Sequence, residues 1–132
     1  MKKIVSILTF VLSALLFTSC ASSQSSALGY REIDMSEAVK IMKSESDYII
    51  LDVRTAEEFR ERHIPGAINV ANEDIGDAPI PALPDKDRLI LVYCRSGRRS
   101  KEAAKKLASL GYTNIVEFGG INDWQGETVS GS

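Results

Sequence analysis

The sequence is poor in the residues that build metal and disulfide sites. Its 132 residues include two cysteines, Cys20 and Cys94, and a single histidine, His63. A structural zinc ion takes about four cysteine, histidine or carboxylate ligands, so the sequence argues against a metal site. If Cys20 carries a lipid, Cys94 has no partner for an intramolecular disulfide. An odd thiol in an exported protein is either reactive or buried.

A broad basic surface is also missing. The net charge is −2, and without residues 1–19 the chain carries 14 basic and 18 acidic residues, which makes the net charge −4. Nucleic-acid binding requires a basic face, so the composition argues against a nucleic-acid partner. Positive charge is instead concentrated beside Cys94, which favours a small anion as the ligand. The cations there are Arg95, Arg98, Arg99 and Lys101.

Residues 1–19 are predicted to form a targeting segment. Lys2 and Lys3 precede a mostly apolar run over residues 4–17. This run is shorter than the roughly 20 apolar residues of a membrane-spanning helix, and it fits the apolar region of a secretory signal. Cys20 follows a small residue, and the segment resembles the bacterial lipoprotein signal, in which such a cysteine is lipidated and becomes N-terminal after cleavage.

Two alternatives to the lipoprotein signal stay open. In lipoprotein signals the residue three positions before the cysteine is usually aliphatic, and here it is Phe17. The first alternative is ordinary signal cleavage after Ala21, because Ser19 and Ala21 supply the small residues that this cleavage requires. An uncleaved anchor is the other alternative. We expect the protein in the bacterial cell envelope, anchored by lipid on Cys20 and facing outside the cytoplasm. A secreted or periplasmic soluble protein is the alternative, and a monomer is expected in either case.

Residues 30–127 are predicted to form one domain, since a chain of this length suits one. Residues 20–29 are rich in serine and alanine and are predicted to be a flexible tether, and residues 128–132 a loose tail. Within the domain, apolar runs alternate with helical patterns, which predicts an α/β fold with helices on both faces of a mostly parallel five-stranded sheet. The predicted strands are residues 30–33, a short edge strand, and residues 48–51, 67–70, 89–93 and 114–118.

The segment Cys-Arg-Ser-Gly-Arg-Arg-Ser at residues 94–100 joins the fourth strand to a helix. Its thiol faces a helix N-terminus and several cations, and both favour thiolate over thiol. The same arrangement suits an anionic substrate. Because ligands of parallel sheets bind beyond the carboxyl ends of the strands, Cys94 and Arg54 are expected to face one pocket. The substrate-binding candidates are Arg54, Arg95, Ser96, Gly97, Arg98, Arg99 and Ser100.

Three blocks of this sequence, in order, resemble a single-domain rhodanese-like protein. The blocks are residues 51–54 with 57–59 and 63–69, residues 92–100, and residues 119–124. The resemblance implies the α/β fold described above and sulfurtransferase chemistry through a cysteine persulfide. It makes Cys94 the nucleophile and residues 95–100 a cradle whose backbone amides point at the sulfur. Arg54 matches an arginine that reaches the anionic donor in catalytic members, and Asp52 matches an acid of structural role.

The expected reaction moves a sulfane sulfur from an anionic donor such as thiosulfate to a thiol or cyanide acceptor, with no cofactor. A poorly catalytic binding or sulfur-carrier module is the alternative. A cysteine-dependent phosphatase or arsenate reductase is disfavoured by loop length. Phosphatases place an arginine six positions after the nucleophile, whereas Ser100 stands there and Arg99 is fifth.

Overall fold

The computed structural model of the chain describes residues 27–132. The predicted signal at residues 1–19, Cys20 with its expected lipid and most of the predicted tether at residues 20–29 lie outside the described residues. Over the part of the chain that is described, no helix is long and apolar enough to cross a membrane.

The centre of the fold is a five-stranded sheet in which every strand pairing is parallel. The strand order is β1-β5-β4-β2-β3, so β4 lies in the middle of the sheet. This confirms the predicted α/β fold and its five-stranded parallel sheet. The strands are β1 (Arg31–Glu32), β2 (Tyr48–Asp52), β3 (Ile68–Asn69), β4 (Leu89–Cys94) and β5 (Ile115–Gly120).

The helices connect these strands and begin at residues suited to that position. The side chain of Asp34 accepts a hydrogen bond from the Glu37 amide at the start of the first helix. Thr55 and Glu58 form a capping box at the start of the second, which satisfies two of its free amides. The helices are α1 (Met35–Ser44), α2 (Ala56–Glu61) and α3 (Arg98–Ser109), with 3₁₀ turns at Asn72–Asp74 and Ile121–Asp123.

Alternate residues of β4 belong to two separate hydrophobic clusters, one on each face of the sheet. Val92 and Cys94 belong to the cluster that contains Ala103, Ala104 and Leu107 of α3. Leu91 and Tyr93 belong to the opposite cluster, together with Ala38 of α1 and Phe59 of α2. The period of two along a strand therefore places the cysteine on the α3 face.

Residues 128–132 were expected to be a loose tail, and the structure differs. Val129 and His63 exchange two backbone hydrogen bonds, of 2.8 and 3.0 Å, in an antiparallel bridge. The Gly131 amide also donates to the Arg60 carbonyl at 2.8 Å. These hydrogen bonds join backbone groups only. The side chains of the tail therefore form no apolar pattern from which the pairing could be predicted.

Strand β5 was expected to break at Gly119 and Gly120, but it continues through Gly120, which stands opposite Cys94 across a register shift. A Cβ atom at Gly120 would lie 2.0 Å from the Arg95 carbonyl oxygen and 2.5 Å from the Ser96 amide nitrogen. The φ angle of Gly120 is −140°, so the position needs glycine for close approach rather than for conformation.

We predict that Gly120→Ala displaces the cysteine loop and lowers the free energy of unfolding by about 1–3 kcal/mol, because a backbone peptide must move to admit the methyl group. Gly76→Ala is the control, since nothing lies within 4 Å of a Cβ there. Urea unfolding of both variants measures the effect. Equal stability of the two variants would contradict the proposed packing.

Candidate active site

Cys94 lies where β4 ends and the loop to α3 begins. The Gly97 amide donates a hydrogen bond to Cys94 Sγ at 3.0 Å, and Gly97 is the N-cap of α3. Gly97 reaches this position with φ of 109°, a left-handed conformation that glycine adopts without strain. The sulfur therefore lies at a helix N-terminus, where the backbone favours negative charge.

A buried polar pair lies beneath the sulfur. Ser100 Oγ is 3.4 Å from Cys94 Sγ and 2.5 Å from Oε1 of Glu117, which lies on β5. The same carboxylate oxygen accepts a hydrogen bond from the Gly119 amide at 2.9 Å. Ser100 is fully buried and Glu117 is 2% exposed. Ser100, which was predicted to bind substrate, thus lies within 3.4 Å of the sulfur but is itself fully buried.

Three of the four cations near the cysteine are paired with carboxylates. Arg98 contacts Glu102 at 3.0 Å, Arg99 contacts Glu58 at 2.8 Å, and Lys101 contacts Glu32 at 3.7 Å. These pairs weaken the expectation that all four cations balance a sulfur anion and a substrate, because each neighbouring carboxylate already offsets one charge.

Arg95 is the exposed cation that remains, and Ser96 beside it is also exposed. Within residues 27–132, the Arg95 side chain has no ion pair, while its carbonyl accepts a hydrogen bond from the Asn122 amide at 3.2 Å. The backbone at Arg95 is therefore held in place while its guanidinium stays available to an anion.

Arg99 ties the loop to α2. Its two terminal nitrogens donate to the two oxygens of Glu58 at 2.8 and 2.9 Å, a bidentate pair that fixes orientation as well as charge. The Arg99 guanidinium lowers the pKa of Glu58 from 4.5 to about 2, with partial burial opposing it and the Thr55 amide assisting. Glu58 thus joins the capping of α2 to the position of the cysteine loop.

The structure gives Arg54 partners other than a donor anion. Its guanidinium donates to Asp52 at 2.7 Å and to the Arg62 carbonyl at 2.7 Å, and its side chain is 5% exposed. Tyr93 completes the cluster by donating to Asp52 at 2.6 Å. Burial and then the Asp52 hydrogen bond raise the pKa of Tyr93. These contacts do not support the expected binding of a donor by Arg54, and they give Asp52 the structural role that was predicted.

The sulfur is covered in this structure, since Cys94 is 1% exposed. Gly97 and Ser100 are buried as well, and the exposed residues of the 94–100 segment are Arg95, Ser96 and Arg98.

Sequence reasoning missed Glu117, although a signal for it was present. In a parallel sheet covered on both faces, strand residues are apolar, and a glutamate between Val116 and Phe118 breaks that pattern. Acidic residues are seldom fully buried unless they are paired. A buried glutamate two residues before the paired glycines therefore indicates a polar contact that only the tertiary structure identifies.

Comparison of this chain with known proteins identifies relatives of the same fold. A model of the rhodanese-like domain matches residues 34–127. The chain belongs to the rhodanese-like family. Among solved structures, a rhodanese with anions from E. coli is 34% identical with a TM-score of 0.58, and the match covers 64% of this chain and 99% of that one.

Relatives of rhodanese type carry sulfurtransferase names. Thiosulfate sulfurtransferase PspE of Escherichia coli is 37% identical over 73 residues, which are 55% of this chain and 70% of the relative. Thiosulfate:glutathione sulfurtransferase of Saccharomyces cerevisiae is 35% identical over 95 residues, 62% of this chain and 68% of the relative. The chain is accordingly a rhodanese-type sulfurtransferase.

We predict that Glu58→Gln destabilises the protein by about 1 kcal/mol at neutral pH, since it removes the charge paired with Arg99 but keeps an amide that can cap α2. Because folding lowers the pKa of Glu58 from 4.5 to about 2, this stabilisation is complete above about pH 4.5 and is lost as the pH falls towards 2. The unfolding free energies of wild type and variant should therefore converge in acid.

Urea unfolding at several pH values measures this difference. The matched control is Glu57→Gln, an exposed neighbour in the same helical turn that pairs with no arginine of residues 27–132, and it should change the free energy of unfolding little. A wild-type advantage over Glu58→Gln that stayed constant into acid would show that the ion pair is not its source.

Proposed function

We propose that this rhodanese-type enzyme moves a sulfane sulfur through a persulfide on Cys94, from an anionic donor such as thiosulfate to a thiol or cyanide. The observation that carries the proposal is the position of Cys94 Sγ, 3.0 Å from the Gly97 amide at the N-terminus of α3. A thiolate or a persulfide at this position is stabilised by the amide and by the helix.

In the first half-reaction the Cys94 thiolate attacks the outer sulfur of thiosulfate. The sulfur–sulfur bond of the donor breaks, sulfite leaves with the bonding electrons, and a persulfide anion remains on Cys94. Arg95 is the exposed loop cation that has no ion pair within residues 27–132, and it is suited to hold the departing sulfite group. The remaining loop residues, Ser96 to Ser100, shape the cradle.

In the second half-reaction the acceptor attacks the outer sulfur of the persulfide. Cyanide leaves as thiocyanate, a thiol leaves as a persulfide, and the Cys94 thiolate is regenerated. Each half-reaction releases its product before the next substrate reacts, so the kinetics are ping-pong. Neither half-reaction requires a metal or an organic cofactor.

One observation favours the sulfur-carrier alternative. Cys94 is 1% exposed, so little of it is accessible to small molecules in solution. A partner protein that opens the loop would then supply or remove the sulfur. The phosphatase and arsenate reductase alternatives are supported by no contact in the loop, because Ser100 at the sixth position lies buried against Glu117.

We predict that thiosulfate adds one sulfur atom, about 32 Da, to wild-type protein and none to Cys94→Ser, because serine forms no persulfide. Intact-mass measurement of both proteins, with and without cyanide afterwards, checks the result. Cyanide should remove the added mass and release thiocyanate with ping-pong kinetics. Loading without turnover would favour the sulfur carrier, and absence of loading by any sulfur donor would overturn the proposal.

We also propose that the protein is a lipoprotein of the bacterial cell envelope, facing outside the cytoplasm. The support is the sequence before Cys20, with its two lysines, its short apolar run and its small residue before the cysteine. Residues 21–28 would then tether the domain to the lipid.

We predict that Cys20→Ala releases the protein from the membrane fraction, because a lipid that is attached to this thiol is its only expected anchor. Fractionation of cells that express wild type and Cys20→Ala, followed by mass spectrometry of the N-terminal peptide, tests this. Diacylglyceryl on wild-type Cys20 is the expected result. An unmodified N-terminus after Ala21 would establish ordinary signal cleavage instead.

A further inference from the structure

Glu117 is a buried acid that the proposed sulfur-transfer steps do not use. Its Oε1 atom is 2.5 Å from Ser100 Oγ, which is 3.4 Å from Cys94 Sγ, so the three groups form a continuous chain. The three residues are between 0% and 2% exposed. A charged side chain is costly to bury, and this one is placed one hydroxyl group away from the nucleophile.

The chain has two arrangements of the same protons. With Glu117 ionised, Ser100 donates to the carboxylate, and the Cys94 thiol donates to Ser100. With Glu117 protonated, the carboxyl group donates to Ser100, and Ser100 donates to a Cys94 thiolate. Neither arrangement leaves a buried hydrogen-bonding group unpaired, since the carboxyl oxygen also receives the Gly119 amide and the sulfur receives the Gly97 amide.

We propose that Glu117 takes the proton of Cys94 through Ser100, which makes it a positioning residue for the sulfur-transfer reaction. The sulfur–hydrogen bond breaks as an oxygen–hydrogen bond forms at Ser100, and the hydroxyl proton of Ser100 passes to Glu117 Oε1. One negative charge thereby moves from the carboxylate to the sulfur, and the number of protons is unchanged. This inference rests on the proposed function, because it explains how the nucleophile of that reaction is ionised.

Repulsion between the Cys94 thiolate and the Glu117 carboxylate favours this proton transfer. A thiolate and a carboxylate that are both buried and bound to one hydroxyl oppose each other, and such pairs hold one proton between them. A donor dianion at the loop adds to the repulsion. Protonation of Glu117 removes the nearest negative charge at the moment when the sulfur becomes an anion, and the proton returns when the thiol is restored.

Other charged groups surround Glu117, and the test must separate them from it. An open groove of about 420 Å³ beside the loop is lined by Glu117 together with Glu32, Asp34, Glu37 and Lys101. Glu32 stands opposite Glu117 on the neighbouring strand β1 but is exposed. Tyr30 hydrogen-bonds Glu32, and burial raises the pKa of Tyr30 to about 12, so it stays protonated at neutral pH. Arg99 also lies near Cys94, but its guanidinium is paired with Glu58.

The test is the rate at which iodoacetamide alkylates Cys94 at about pH 6, in the full domain and without any sulfur donor. Glu117→Gln keeps the shape and the contact with Gly119 but takes no proton, so the proposal predicts a fall in rate of at least about tenfold. A fixed negative charge would act in the opposite direction, because its removal favours the thiolate and raises the rate. A lower alkylation rate therefore indicates that Glu117 accepts the proton, and a higher rate indicates that it acts only as a fixed negative charge.

Two further variants complete the test. Ser100→Ala interrupts the chain while keeping Glu117, and should lower the rate as Glu117→Gln does, whereas Ser100→Thr restores the hydroxyl and much of the rate. Glu32→Gln is the matched control, because it removes a carboxylate from the same groove without touching Ser100, and it should leave the rate unchanged or raise it. Thermal unfolding of each variant establishes that the fold is kept.

The outcomes distinguish this inference from the proposed function. An unchanged or higher alkylation rate in folded Glu117→Gln, or full reactivity of folded Ser100→Ala, overturns the relay and leaves persulfide formation untouched. Wild-type protein that loads no sulfur, together with the expected fall in alkylation, overturns the sulfur-transfer proposal and retains the relay. A fall in alkylation accompanied by normal loading of the wild type supports both.

Discussion

The close approach of β5 to the cysteine loop is the constraint on which the site depends. Gly120 lies against the Arg95–Ser96 peptide with no room for a side chain. This contact lets Glu117, three residues earlier on the same strand, reach Ser100 at the start of α3. The loop is therefore held between a strand and a helix, and the Gly97 amide meets the sulfur as a result. The contacts that pack β5 against the loop therefore also position the groups that surround the sulfur.

Two buried carboxylates, Asp52 on β2 and Glu117 on β5, lie on the two strands that flank β4, and they are satisfied differently. Asp52 receives a guanidinium, a phenol and a backbone amide, which neutralise its charge and connect β2 to β4 and to the end of α2. Glu117 receives a hydroxyl and an amide, and no cation among residues 27–132 forms an ion pair with it. A carboxylate without a buried counter-charge is costly, and that cost is the physical basis for giving it a role in proton transfer. The charge of Asp52 is already balanced by Arg54, so the same argument does not apply to it.

Arginines in the loop also divide by role once their partners are known. Arg99 is fixed by Glu58 of α2, while Arg95 extends into solvent. Position in the sequence does not distinguish them, because both lie within five residues of the nucleophile. The acidic partner of Arg99 is 41 residues away along the chain, and only the packing of α2 beside the loop brings the two together. Charge clustering in a sequence thus overestimates the free charge at a site.

The sequence alone was enough for the α/β fold, the parallel sheet and the cysteine at the end of the fourth strand, because apolar periodicity and turn residues act over short distances. It also identified the family through three local blocks. It did not show that Arg54 is bound to Asp52, that Arg99 is bound to Glu58, or that Glu117 lies under the cysteine. Those contacts join residues on different strands and helices, so the tertiary structure decides them. A buried charge is stable only where the fold places its partner within hydrogen-bonding distance.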